Sequence, residues 1–163
     1  MAHPGILAAD LESLGIHICG LQEVRHPGSG RHTLPNGYQF IWSGRAPDSK
    51  RPHEHGVGAL LSPDTAKLLR AADAGVAAIN ERIMVWRFQP NGTLPMTVVI
   101  AYAPTEAAAD EPAKDLFYER LNEALSDTPS HHFLLVLGDF NAKVSAASHT
   151  VYPATFSATP TRD

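Results

Sequence analysis

The stretch Leu134–Val144, LLVLGDFNAKV, opens on four apolar residues and, across Gly138, presents Asp139 and Asn141. With Phe133 it forms an apolar run too short for a buried helix. It fits a strand covered on both faces, as at the centre of a sheet. Side chains alternate along a strand, so Asp139 and Asn141 share one side if the extended conformation continues through Phe140. A stiff strand ending in an acid and an amide is a platform for aiming both. Asp and Asn also build turns, and the stretch by itself leaves both readings open.

Working outward, two more apolar runs end in polar side chains. Ile16–Leu21 runs into Gln22 and Glu23, and Met96–Ala101 runs into Tyr102. Between Tyr102 and Asp139 lies an amphipathic helix over Ala113–Leu125, with Leu116, Phe117, Leu121 and Leu125 facing the core. Pro112 sits where a first turn tolerates proline. Ile79–Gln89 and Leu94–Ala103 flank Pro90-Asn91-Gly92 and read as a β-hairpin. Nearer the start, a helix is expected over Gly5–Leu14, stopped by Gly15. Strands follow over Ile16–Glu23, Tyr38–Ser43 and Gly56–Ser62. Arg25–Gly37 and Gly44–Glu54 are polar and broken by Pro or Gly, and read as loops. Pro63–Ala74 is a short helix or an irregular connection. Strands with interleaved helices make an α/β protein. The alternation is too irregular for a dinucleotide-binding sheet, and neither a GxGxxG nor a P-loop is present.

Composition narrows the class. A chain of 163 residues suggests one domain, and 44% hydrophobic with 18% charged residues suits a packed core rather than disorder. The net charge of -4 and pI near 6.1 lack the basic footprint common in nucleic-acid binders. A bound divalent cation can supply positive charge locally. Cys19 is the only cysteine, so no intrachain disulfide forms, and it reads as a small buried hydrophobe. The N-terminal residues lack a secretory pattern, and no apolar run approaches the ~20 residues of a membrane span. The expectation is an intracellular protein, nuclear or cytoplasmic, that is not secreted and has no membrane partner. Among the nine histidines, His53-Glu54-His55 and His131-His132 lack zinc-ligand spacing and read as solvated loop residues. Arg25, Arg45, Lys50 and Arg51 can touch a phosphate backbone or simply sit in solvent.

The polar strand ends match the needs of phosphodiester hydrolysis. A hard cation neutralises phosphate oxygens, and Mg²⁺ typically takes only one or two carboxylates, the rest being water and phosphate. Glu23 can serve as that ligand. Asp139 is the right type to orient or deprotonate the attacking water. Asn141 and Tyr102 can donate to the phosphate as charge develops. Spacing alone leaves the bland alternatives standing: a solvated glutamate, a turn-forming Asp and Asn, and a core tyrosine.

A family pattern adds to this reading. LQEVR (Leu21–Arg25), HGVGALLS (His55–Ser62), RI (Arg82–Ile83), AYAPTE (Ala101–Glu106), KDLFYERL (Lys114–Leu121) and LLVLGDFNAKV occur in this order. Over residues 5–144 the chain resembles the endonuclease/exonuclease/phosphatase superfamily. Within it the pattern is most similar to the endonuclease region of non-LTR retrotransposons and to craniofacial development protein 2-like proteins. The resemblance implies a four-layer α/β sandwich, two mixed β-sheets face to face with helices outside. It implies hydrolysis of phosphate esters with Mg²⁺, or Mn²⁺ in its place. By position, Glu23 becomes the metal ligand and Tyr102 the phosphate-contacting tyrosine. Asp139 orients or deprotonates the nucleophile, and Asn141 contacts phosphate. The implied partner is nucleic acid, DNA ahead of RNA, or another phosphoester.

Two departures qualify that expectation. The family opens with a strand bearing a functional asparagine, and no residue here matches it. The family also continues beyond GDFN to an Asp-oriented His, whereas this sequence leaves the pattern at Ser145, and His149 is not in a matching context. The expectation is therefore an incomplete domain over 1–144 with an off-pattern, poorly ordered 145–163. The last apolar strand would keep an unpaired edge, and activity alone would be little or none. The alternative is a non-catalytic, retrotransposon-derived remnant that binds or scaffolds.

Overall fold

The structure, a computed structural model, describes residues 4–142 apart from 51, 53, 72–76, 90, 91 and 106–110. In chain order the elements are α1 (Pro4–Ser13), β1 (Ile18–Gln22), β2 (Ser29–Thr33), β3 (Gln39–Ser43), β4 (Val57–Leu61) and α2 (Pro63–Ala71). They continue with β5 (Ala77–Ala78), β6 (Ile83–Phe88), β7 (Met96–Tyr102), α3 (Glu111–Ser126) and β8 (Phe133–Asp139). Two four-stranded sheets result, β1-β4-β3-β2 and β5-β6-β7-β8. The first is antiparallel throughout. The second is mixed, because β7 and β8 run parallel while its other pairs are antiparallel.

Side-chain alternation turns the two sheets into four layers. Val98, Ile100 and Tyr102 of β7 point between the sheets, where they meet Met84 and Trp86 of β6 and Ile41, Ala59 and Leu61 of the first sheet. Val99 and Ala101, on the opposite face of β7, pack with Ile83 and Val85 against Phe117, Leu121 and Ala124 of α3. Phe40 and Leu60 on the outer face of the first sheet are covered by Ala8 and Leu11 of α1. The order is helix, sheet, sheet, helix, the four-layer α/β sandwich that the resemblance implies. Local chemistry sets the boundaries. Gly15, at φ 65, ends α1. Its N–H bonds Glu12 O at 3.1 Å and Ile16 N–H bonds Leu11 O at 2.9 Å, the paired bonds of a Schellman cap. Ser62 caps α2, its hydroxyl accepting Thr65 N–H at 3.4 Å.

Several expectations need correction. Leu116 does not face the core; it is 52% exposed. The buried stripe of α3 is Phe117, Leu121 and Ala124, at i, i+4 and i+7, and Leu116 lies one residue off that stripe. Arg25–Gly37 is not all loop, since β2 pairs with β3 within it. Every residue of β2 is exposed, so its sequence has no apolar alternation to reveal it. The first strand of the hairpin, β6, starts at Ile83 rather than Ile79. Asn80 Oδ1 accepts the N–H groups of Arg82 and Ile83 at 2.7 and 2.9 Å, turning the chain between β5 and β6. Among the described residues β8 pairs with β7 alone, so a run that reads as a sheet centre keeps the open edge expected of it. Its two-sided apolarity comes from packing above and below: Leu135 and Leu137 face the inter-sheet core, Leu134 and Val136 face α3. Cys19 is half-buried, and burial raises its thiol pKa. The Pro90-Asn91 turn and the 145–163 tail lie outside the described residues.

Candidate functional site

Three strand ends meet at one end of the sandwich. Tyr102 and Asp139 are register partners at the ends of the parallel pair β7·β8. Glu23 follows β1 in the other sheet. The Tyr102 hydroxyl crosses between the sheets and donates to Glu23 Oε1 at 2.9 Å. Gln22, Glu23, Arg25 and Asp139 line a cleft of about 440 Å³ there. The glutamate and the aspartate thus face one space although 116 positions separate them (139 − 23).

The backbone is unusual at the same place. Among the described residues, the non-glycine positions with positive φ are Glu23 (53), Arg25 (53) and Asn141 (48). Such conformations cost on the order of 1–3 kcal/mol each and persist only where surroundings hold them. Val24, between the first two, is buried, and its N–H bonds Gly56 O at 3.0 Å. Arg25 N–H bonds His55 O at 2.9 Å. Asn141 N–H bonds Asp139 Oδ1 at 2.9 Å, and its side-chain amide donates to Ala103 O at 2.7 Å. The strand does not stay extended past Asp139, so alternation does not orient Asn141; the bend and its two hydrogen bonds do.

Electrostatics follow from these contacts. The Tyr102 hydrogen bond, with the Arg25 guanidinium at 3.1 Å, holds the Glu23 carboxyl below the ordinary glutamate range. Burial, then the bond to Glu23, pushes the Tyr102 phenol up. Tyr102 therefore stays a donor. Its single hydroxyl hydrogen already goes to Glu23, so it serves another acceptor only when Glu23 releases it.

Two residues beside the site carried no assigned role in the sequence. Arg82 donates to Tyr102 O at 3.2 Å and contacts His55 Nε2 at 3.1 Å. Its guanidinium lies 5.3 Å from the Tyr102 ring centroid. His55 is consequently no solvated loop residue; it is half-buried, and burial and then Arg82 lower its pKa. His132 is likewise engaged, its Nδ1 2.9 Å from Thr97 Oγ1. His53 and Arg51 lie outside the described residues. Arg45 is held by Glu81 at 2.9 Å, Lys50 is exposed, and Arg25 lines the cleft. The signal for Arg82 was a lone arginine heading an apolar strand, where a cation needs partners.

Whether these groups suit a cation is a question of donor chemistry. No group of three or more His, Cys, Asp or Glu gathers among the described residues, so they form no closed protein cage. Mg²⁺ does not require one. Glu23 and Asp139 offer oxygen donors to the same cleft. Each Glu23 oxygen keeps a second lone pair beside its present bond. Arg25 and Glu23 are 62% and 51% exposed, so their ion pair is weak and readily exchanged. The oxygen donors of Glu23 and Asp139 are of the kind a hydrated cation takes.

No family model matches the chain. It is similar to craniofacial development protein 2 of Bos taurus, 29% identical over 141 residues, which cover 86% of this chain and 22% of that protein. It is also similar to craniofacial development protein 2 of Tragulus javanicus, 27% identical over 141 residues, 86% of this chain and 23% of that protein. These relations are distant homology, and the chain spans less than a quarter of the length of the curated relatives it matches. No helix among the described residues is long and apolar enough to cross a membrane.

Proposed function

We propose that the chain is a domain of the endonuclease/exonuclease/phosphatase type whose chemistry is Mg²⁺-dependent hydrolysis of phosphodiesters, with little activity alone and with nucleic acid, DNA ahead of RNA, as the substrate class. The observation that carries this reading is the hydrogen bond from Tyr102 to Glu23 between the two sheets, in a cleft that Glu23 shares with Asp139. Mg²⁺, when bound, neutralises phosphate oxygens and helps orient the ester.

The chain's own residues have separable tasks. Glu23 stays ionised because Tyr102 and Arg25 stabilise its charge, which suits a cation ligand. Asp139 is steadied by the Asn141 N–H on Oδ1, leaving Oδ2 to orient a water or take its proton. The Asn141 amide spends one of its two hydrogens on Ala103 O and can offer the other to phosphate. Arg25, on the cleft wall, can exchange Glu23 for a phosphate oxygen.

The test is Mg²⁺-dependent nicking of supercoiled plasmid by the chain and by Asp139→Ala. Loss of general acid–base function should slow nicking about 10²–10⁴-fold. Equal nicking by both proteins, or none by either, would instead favour a non-catalytic binding or scaffold domain.

A further inference from the structure

We propose that Arg82 is a positioning residue for Tyr102, clamping the tyrosine so that its hydroxyl meets Glu23, with His55 as the acceptor that fixes the guanidinium. The inference rests on the reading above only in taking Tyr102 and Glu23 as site residues. Arg82 meets Tyr102 in three ways. Its guanidinium donates to the tyrosine carbonyl at 3.2 Å, its own carbonyl accepts Tyr102 N–H at 2.9 Å, and its charge lies 5.3 Å from the ring centroid. The remaining contact, 3.1 Å to His55 Nε2, needs an unprotonated nitrogen, because arginine can only donate. That places the imidazole hydrogen on Nδ1, a buried atom with no hydrogen-bond partner among the described residues.

Charge balance makes the arrangement specific. Among the described residues Arg82 makes no ion pair, and its sequence neighbour Glu81 is taken by Arg45 at 2.9 Å. A half-buried cation without a carboxylate is costly unless dipoles and a ring face compensate. Here the compensating groups are the Tyr102 carbonyl, the Tyr102 ring and His55. The planar guanidinium directs its bonds at fixed angles, so it holds the tyrosine at a set distance from His55. The His55 carbonyl in turn accepts Arg25 N–H at 2.9 Å, inside the bend that carries Glu23. The Arg82–His55 link therefore ties the Tyr102 side of the cleft to the Glu23 side.

The test uses the full chain labelled with 3-fluorotyrosine and ¹⁹F NMR, which reads Tyr102 without any turnover. Tyr102→Phe assigns the resonance among the four tyrosines, and Glu23→Ala defines its position when the acceptor is gone. Arg82→Met should carry the resonance most of the way to that position. Arg82→Lys, which keeps the charge but not the fork, should fall between. In the Glu23→Ala background Arg82→Met should add a clearly smaller shift, only the part due to losing the charge beside the ring, because the contact it supports is already absent. An equal shift from Arg82→Met in both backgrounds, or no shift in either, overturns the proposal. If Arg82→Met does not fold, His55→Leu, which removes the acceptor and leaves the cation, is judged by the same cycle. A chain that gives the expected shifts yet never nicks DNA keeps the positioning role and loses the hydrolase reading; the reverse result separates them the other way.

Discussion

Replacing Gly138 with alanine perturbs the junction where the last described strand meets the cleft. A Cβ at this position would lie 2.5 Å from the Ala101 carbonyl oxygen and 3.3 Å from the Ala101 Cβ. Ala101 is the register partner of Gly138, and Tyr102 is the partner of Asp139. The obstacle is backbone, so no rotamer change can clear it. Close carbon–oxygen contacts lie at about 3.3 Å or more, so β8 must retreat from β7 by roughly 0.8 Å at this point. Overpacking of this kind costs about 1–3 kcal/mol. For a chain of this size that corresponds to a melting temperature lower by about 2–12 °C. The displacement also acts on the site, because Asp139 O accepts Ala103 N–H at 2.9 Å across the same pair. Urea unfolding gives the stability change, and amide exchange at Ala103 reports whether that bond survives. A variant within about 0.5 kcal/mol of the parent, with Ala103 still protected, would refute the claim that this glycine sets the β7–β8 spacing and the place of Asp139.

Other outcomes follow from the same geometry. Glu23 has a lowered pKa, chiefly through the Tyr102 hydroxyl. Its stabilising contribution is present above the ordinary glutamate pKa and is lost as pH falls through the depressed folded value. Tyr102→Phe should raise the Glu23 carboxyl pKa, read by ¹³C NMR titration, and remove that part of the pH dependence; an unchanged titration would disprove the contact. On α3, Leu116→Gln should change stability by less than about 0.5 kcal/mol, whereas Phe117→Ala should lower it by about 3–5 kcal/mol. Comparable losses from both in denaturant unfolding would show that the helix presents a different face.

Legibility tracked the number of faces a segment buries. The runs Val57–Leu61, Ile83–Phe88 and Met96–Tyr102 are covered on both faces, so burial wrote them into composition. Ser29–Thr33 is exposed along its whole length and held by backbone pairing with β3, which leaves no trace in side-chain type. Leu116 shows the converse: an apolar residue at plausible spacing need not lie on the buried stripe when its helix offers two overlapping phases. Polar strand ends were equally readable at Glu23, Tyr102 and Asp139. Arg82 and His55 were not, because their place beside the site depends on contacts made across elements.

What the amino-acid order alone determined is therefore the set of buried strands, the α/β class and the residues waiting at strand ends, all consequences of short-range alternation and capping. Only the tertiary structure decided that β1 of one sheet and the parallel pair β7·β8 of the other finish at the same end. Only it bent Glu23, Arg25 and Asn141 into positive φ and joined Tyr102 to Glu23 across the inter-sheet gap. Those features arise from packing two sheets face to face, which sums contacts between residues far apart in the chain, and no local pattern encodes such a sum.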